Sequence, residues 1–151
     1  MKLSKRWHMI LTALVLALCL GACTKTMSYT FHVETGDKIK VAMDITDGYT
    51  FSQKEGTFTA SMDGRDILTG IFLTGDMYDQ YLEAIQGEEF EILKESQQNG
   101  CSYIQYRYEG DHIENNFVCW VSDSNTGLFL ASLEDQQSAE DAFERLSFSK
   151  E

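Results

Sequence analysis

Any chemistry in this chain has to come from a short set of side chains. It contains four cysteines, three histidines and 24 acidic residues. A thiol beside an imidazole makes a nucleophile pair, but nothing in the spacing brings Cys101 to His32 or His112. His32 falls on the polar side of an alternating segment, and His112 falls in a turn. Metal sites need several converging His, Cys or carboxylate ligands at structured spacing, and His112-Ile113-Glu114 alone is no such set. Asp123-Ser124-Asn125-Thr126-Gly127 places oxygen atoms at alternate positions, as calcium loops do. Asp135 stands near the place of the distant bidentate acid, but an apolar strand from Leu128 intervenes. A turn rich in Asp, Asn and Gly is the better reading. Glu88, Glu89 and Glu91 read as a solvated strand start in preference to an acid–base pair. No Gly-x-Ser-x-Gly, Cys-x-x-Cys or phosphate-loop pattern occurs. The expectation is therefore no catalytic residue, no metal and no cofactor.

Two further groups stand out. Tyr103, Tyr106, Tyr108, Phe117 and Trp120 cluster in one expected hairpin, either as core packing or as a binding surface of rigid amphipathic rings. Cys101 and Cys119 lie on the two strands of that hairpin. A register centred on Gly110 sets them opposite each other, with Ile104 and Tyr106 on the same face as Val118 and Trp120. They form a cross-strand disulfide or stay as two buried thiols packing as small apolar groups.

The N-terminus carries a different signal. Lys2, Lys5 and Arg6 form a positive start, and Met9 to Leu20 follow as an apolar run broken only by Thr12. Twelve residues are too few to cross a bilayer core, which needs about 20, and they match a secretory h-region. Leu20-Gly21-Ala22-Cys23 comes next. This segment resembles the bacterial lipoprotein signal, whose lipobox reads Leu, small, small, Cys. The resemblance implies that residues 1–22 are removed and that the Cys23 sulfur takes a diacylglycerol thioether, with a further acyl group such as palmitate on its amine. It implies a cell-membrane location, lipid-anchored on the extracytoplasmic face. Residues 23–28 are then the lipidated cysteine and a short tether. Thr24 stands where some members carry a sorting Asp, so the leaflet is left open.

Composition fits an exported globular domain. Of the 151 residues 43% are hydrophobic and 24% charged, and proline is absent. Net charge is −12. The signal segment removes three cations and no acid, so the chain from Cys23 on carries −15. Such a chain repels phosphate backbones, which argues against nucleic-acid binding, and the same repulsion favours a monomer.

The elements read as one α+β domain over residues 29–151. Period-2 alternation predicts strands from Met27 to Glu34 and from Ile39 to Ile45, a weak strand from Tyr49 to Gln53, and another from Phe58 to Met62. Ile67 to Leu73 is a denser run, as in a strand covered on both faces. The spacing then predicts a helix capped by Asp76 and stopped at Gly87. Four strands follow: Phe90 to Glu95, Ser102 to Tyr108, Asn116 to Ser122 and Leu128 to Leu133. A last helix opens at Ser138, with Ala139, Ala142, Phe143 and Leu146 on its inner face.

Strands, helix, strands, helix imply an antiparallel sheet flanked by two helices. That order, with Ile45-Thr46-Asp47-Gly48-Tyr49 ahead of a short strand, resembles the Mog1/PsbP-like α/β/α sandwiches. The resemblance implies a docking or assembly scaffold and carries over no catalytic residue. The expected function is a non-catalytic binding or accessory lipoprotein held to the membrane by its anchor. Its ligand or protein partner is left open. A small extracytoplasmic hydrolase and a structural or assembly factor of the envelope are the alternatives.

Overall fold

The computed structural model describes residues 24–151. The expected signal segment, residues 1–22, and Cys23 lie outside the described residues.

Short turns set the strand order. Glu55-Gly56, Asp63-Gly64 and Asn99-Gly100 each place two residues at positive φ, the two-residue turn whose twist matches the strands it joins. They link β3 (Tyr49–Lys54) to β4 (Thr57–Met62), β4 to β5 (Arg65–Leu73), and β6 (Phe90–Gln98) to β7 (Cys101–Glu109). With β8 (Ile113–Val121) and β9 (Gly127–Ala131) these strands make a seven-stranded antiparallel sheet in the order β3-β4-β5-β9-β8-β7-β6. The fold is thus α+β and mostly antiparallel.

The expected single sheet is two. β1 (Thr26–His32) and β2 (Lys38–Asp44) form a hairpin, and β10 (Leu146–Lys150) adds to the other edge of β2. β10 lies in residues that the sequence reading left to the end of the last helix. This small sheet lies on one face of the large one. Phe31, Ile39, Val41, Met43, Leu146 and Phe148 point inward and are buried.

Both helices begin earlier than their spacing suggested. The α1 helix (Gly75–Ala84) is capped by Thr74, whose Oγ1 accepts from Met77 N at 3.4 Å, and Asp76 stands inside the first turn. The α2 helix (Gln136–Glu144) is capped by Asp135, which accepts from Ser138 N at 3.0 Å and from Ser138 Oγ at 2.8 Å. The Asp135 carboxylate takes the N–H of Ser138, the third helical residue, so Ser138 lies inside the first turn and the cap stands upstream of it. Tyr78, Tyr81 and Leu82 of α1, with Ile85 at its C-cap, cover one face of the large sheet against Leu73, Tyr106, Val118 and Phe129. On the opposite face α2 buries Ala139, Ala142 and Phe143 beside the small sheet, with Phe143 stacked on Phe117 at 4.2 Å.

The main core lies between the sheets. Its centre is Phe58, fully buried. Its ring centroid is 6.0 Å from Phe31, 6.0 Å from Phe51, 5.8 Å from Phe72 and 6.3 Å from Phe148. Phe58 pairs across the strands with Gly70, and its ring lies over that glycine. A Cβ at position 70 would sit 2.2 Å from Phe58 Cζ. Gly70→Ala is therefore expected to cost about 1–3 kcal/mol in urea titration, as an overpacked core does. Adding Phe58→Leu should recover part of that loss, since the two residues share one contact. A Gly70→Ala variant as stable as wild type would contradict this packing.

Candidate functional site

Because β1 starts at Thr26 and Thr26 pairs with Asp44, the first described residues stand beside the end of β2. Lys25 extends the pairing, its carbonyl accepting from Ile45 N at 2.7 Å. A groove of about 630 Å³ opens here between that strand end and α2. Asp47 and Tyr49 of the segment Ile45-Thr46-Asp47-Gly48-Tyr49 form part of its wall, the chain turning through Asp47 at φ 62°. Arg145, the residue joining α2 to β10, braces the groove. Its guanidinium donates to Thr46 O at 3.1 Å and to Asp47 Oδ2 at 2.8 Å, and lies 4.4 Å over the Tyr49 ring. Asp47 holds the Arg145 pKa above its ordinary value. Asp44 is held below its own, mainly by the hydroxyl and N–H of Thr46, with Arg145 a lesser cause. Met62 and Ile67 add apolar lining, while Arg65, Asp141 and Glu144 stand at the rim. The arrangement can seat a small polar group or a side chain.

At the other end of the small sheet sits a buried carboxylate. Asp37 Oδ1 pairs with Lys150 Nζ at 2.8 Å. Its Oδ2 accepts from Asn125 N at 2.7 Å and from Thr126 Oγ1 at 3.0 Å. The β1–β2 turn, the β8–β9 loop and β10 are joined through this one side chain. The loop considered for calcium is thus engaged with protein: Ser124 Oγ bonds Val121 O at 2.9 Å, and Asp135, the proposed distant ligand, caps α2. No group of three His, Cys or acidic residues able to hold a metal occurs among the described residues. Neither Asp37 nor Arg145 was singled out in the sequence. Thr35-Gly36-Asp37 reads only as a turn, and the partners of both residues come from the opposite end of the chain.

The aromatic cluster does not form one surface. Tyr103 and Tyr106 are both buried but face opposite sides of the sheet. Tyr103 lies 4.8 Å from Phe143, and Tyr106 packs edge-on to Phe90 at 5.7 Å. Tyr108 is half-buried against Phe90 at 5.2 Å, and Trp120 is half-buried against Tyr78 at 4.9 Å. Burial pushes the Tyr106 hydroxyl pKa up. These rings are spent on packing α1, α2 and β6.

Cys101 and Cys119 are both buried and free, and they are not opposed. Cys101 pairs with Val121 and Cys119 with Tyr103. The turn is Gly110-Asp111-His112, closed by Gly110 N to His112 O at 3.3 Å, so the register centres one residue beyond Gly110. That slip of two keeps parity, and both thiols still face the main core as diagonal neighbours. Burial, and next the Cys101 thiol beside it, raise the Cys119 pKa. A thiol held protonated is a poor nucleophile. His32 and His112 are exposed while both thiols are buried, so no Cys–His pair is gathered among the described residues. Glu91 pairs with Arg107, and Glu88 and Glu89 line a shallow cleft beside them.

The buried carboxylate has a measurable signature. Its three partners, Lys150 foremost, lower the Asp37 pKa to about 2, against an unfolded value of about 3.9. A depressed carboxyl pKa adds stability that is present above the unfolded value and lost as pH falls through the folded one. Wild-type stability is therefore expected to fall between about pH 4 and pH 2, with a shallower slope in Asp37→Asn. Equal slopes in urea titrations across that window would contradict the assignment. Comparison of the chain with protein-family models, with curated proteins and with solved structures finds no match.

Proposed function

We propose that the chain is a lipoprotein anchored to the extracytoplasmic face of the cell membrane, with its folded part a non-catalytic binding or accessory module. The observation that carries this reading is the position of Cys23. It follows Leu20-Gly21-Ala22 after a charged start and an apolar run, and it stands three residues before β1 begins at Thr26. An anchor there would leave Thr24 and Lys25 as the whole tether, with the groove braced by Arg145 at the anchored end. We further read the fold as of the Mog1/PsbP kind. The placing of α1 and α2 on opposite faces of one antiparallel sheet supports that reading, as does the Gly48-Tyr49 step at the groove wall. Such a scaffold works by docking, and the groove is the place on it best formed to accept a group.

Metabolic labelling with a fatty acid, together with intact mass, tests the anchor. Wild type should carry the label and have the mass of residues 23–151 plus a diacylglyceryl group and an acyl chain on the Cys23 amine. Cys23→Ala should be unlabelled and retain the signal segment, because the thioether needs the Cys23 sulfur. A mature, unlabelled wild-type protein that stays in the aqueous phase of a detergent partition would overturn the reading.

A further inference from the structure

Charge is not balanced along the groove between β2 and α2. Its ionic lining consists of the carboxylates of Asp44, Asp47, Asp141 and Glu144 and the guanidinium groups of Arg65 and Arg145. Both arginines are already engaged. Arg145 bonds Thr46 O and Asp47, lies 3.9 Å from Asp44 and covers the Tyr49 ring. Arg65 pairs at 3.1 Å with Glu134, an acid that is not itself part of the lining. Asp141 and Glu144 are exposed, and neither has an ion-pair partner among the described residues. Asp141 accepts from Gln137 Nε2 at 2.8 Å, a neutral donor. Lys94 lines a separate small cavity with Glu144, where it lies 6.0 Å from the Tyr103 ring centroid, and it is not part of the groove.

The place of these two acids sharpens the imbalance. They stand in the last turn of α2, which holds no basic residue. The C-terminal end of a helix carries partial negative charge, so a cation is favoured there and an acid is not. Arg145 at the C-cap could answer that charge, but it is turned toward Asp47. Asp141 and Asp47 act on one hydroxyl: burial raises the Tyr49 pKa, Arg145 lowers it, and both acids raise it further. Residues three apart on a helix are surface neighbours, so Asp141 and Glu144 offer two carboxylates to one approaching group. Tyr49 and Ile67, both buried, and half-buried Met62 give the apolar part of the lining. A volume of about 630 Å³ falls in the range of about 300–1,000 Å³ that takes a ligand of many atoms, more than one small amine fills.

We propose that the groove docks an arginine carried on an apolar stretch of a partner protein, its guanidinium held by Asp141 and Glu144 and its stem and neighbours laid on Tyr49, Met62 and Ile67. A planar guanidinium presents several donors in a fork, which suits two adjacent carboxylates, and its aliphatic stem suits apolar surface. An acidic partner meets the opposite condition, since neither arginine of the groove is free to receive it. The proposal rests on the reading of the folded part as a docking module, and it adds the chemistry of what is docked.

The test uses the full mature protein, isotope-labelled and purified from its own membrane in a neutral detergent. The probe is the peptide acetyl-Gly-Leu-Arg-Leu-Gly-amide, followed by amide NMR. The amides of Asp47, Tyr49, Asp141 and Glu144 should shift saturably, and the same peptide with Glu in place of Arg should leave them unmoved. Asp141→Asn with Glu144→Gln should weaken binding about fivefold, as the loss of two exposed ion pairs does, with the rest of the spectrum in place. Glu88→Gln with Glu89→Gln removes the same charge elsewhere and should leave the affinity unchanged. Equal weakening by both pairs of substitutions would overturn the proposal, because net charge alone would then account for the binding. So would equal shifts with the Glu peptide, or no saturable shift at the groove. Agmatine, the same guanidinium on a free alkyl amine, should bind more weakly than the peptide; equal affinity would make the groove a small-cation site and overturn docking. Groove shifts that follow protein concentration without peptide would do the same, with a second copy of the chain as the cover. Fatty-acid labelling of the same sample reports the anchor separately, so a missing label counts against the anchor and missing peptide shifts count against the docked arginine.

Discussion

The contact of the Phe58 ring with Gly70 sets how closely the two sheets approach. Phe58 stands on β4 and Gly70 opposite it on β5, and with no Cβ there the ring can lie across the neighbouring strand. From that position it meets rings from β1, β3, β5 and β10. The two faces share one aromatic centre, in which each neighbouring ring is tilted or edge-on to Phe58. The rest of the arrangement follows from that closeness. The small sheet sits low enough for Tyr29 on β1 to reach Phe51 at 5.3 Å. At the other margin, the Asn99-Gly100 turn comes near enough for Asn99 O to accept from Phe148 N at 2.8 Å.

Polar groups finish what the aromatic centre begins, at both ends of the small sheet. Arg145 closes one end by holding the Thr46–Gly48 turn and stacking on Tyr49. Asp37 closes the other by holding Lys150, Asn125 and Thr126. In each case a charge is met by an opposite charge and by backbone groups, the condition under which a partly buried ion is tolerated. Both clasps tie residues about a hundred positions apart in sequence. The small sheet is thus fixed in place by chemistry at its corners and by apolar packing beneath.

Most strands up to β9 and both helices were legible because they carry their own period, and β5 because its apolar run is dense. The two-residue turns were legible because Gly follows Glu, Asp or Asn at positions that need positive φ. β10 was not, since Leu146 and Phe148 are its only inward apolar residues and its identity as a strand comes from β2. The division into two sheets was equally hidden, because alternation tells which side of a strand is buried and not which strand lies beside it. The hairpin register missed by two residues: Gly110, Asp111 and His112 all suit a turn, and the choice of centre lies in backbone bonds. Parity survived, so the thiols were placed on the correct face and at the wrong rung. The aromatic rings were found as a cluster, but alternate strand positions send Tyr103 and Tyr106 to opposite cores. Of the groove, only the Ile45 to Tyr49 wall could be read; Arg145 joins it through tertiary contact alone.

β10 also fixes an order of assembly. The chain is made from its N-terminus, and β2 is complete long before residue 146 exists. Until then β2 has β1 on one side and an open row of backbone groups on the other, the row later filled by bonds such as Asp44 N to Arg145 O and Glu151 N to Lys38 O. The hairpins from β3 to β5 and from β6 to β8 need only local contacts and short turns, so they can form early. The small sheet closes a loop of about a hundred residues, the kind of contact that makes folding slow. Its last strand works as a latch that shuts only after Leu146 to Lys150 have been made. A half-made chain therefore shows its surroundings an unpaired edge at β2, and the interval before closure is when it is most exposed to wrong partners.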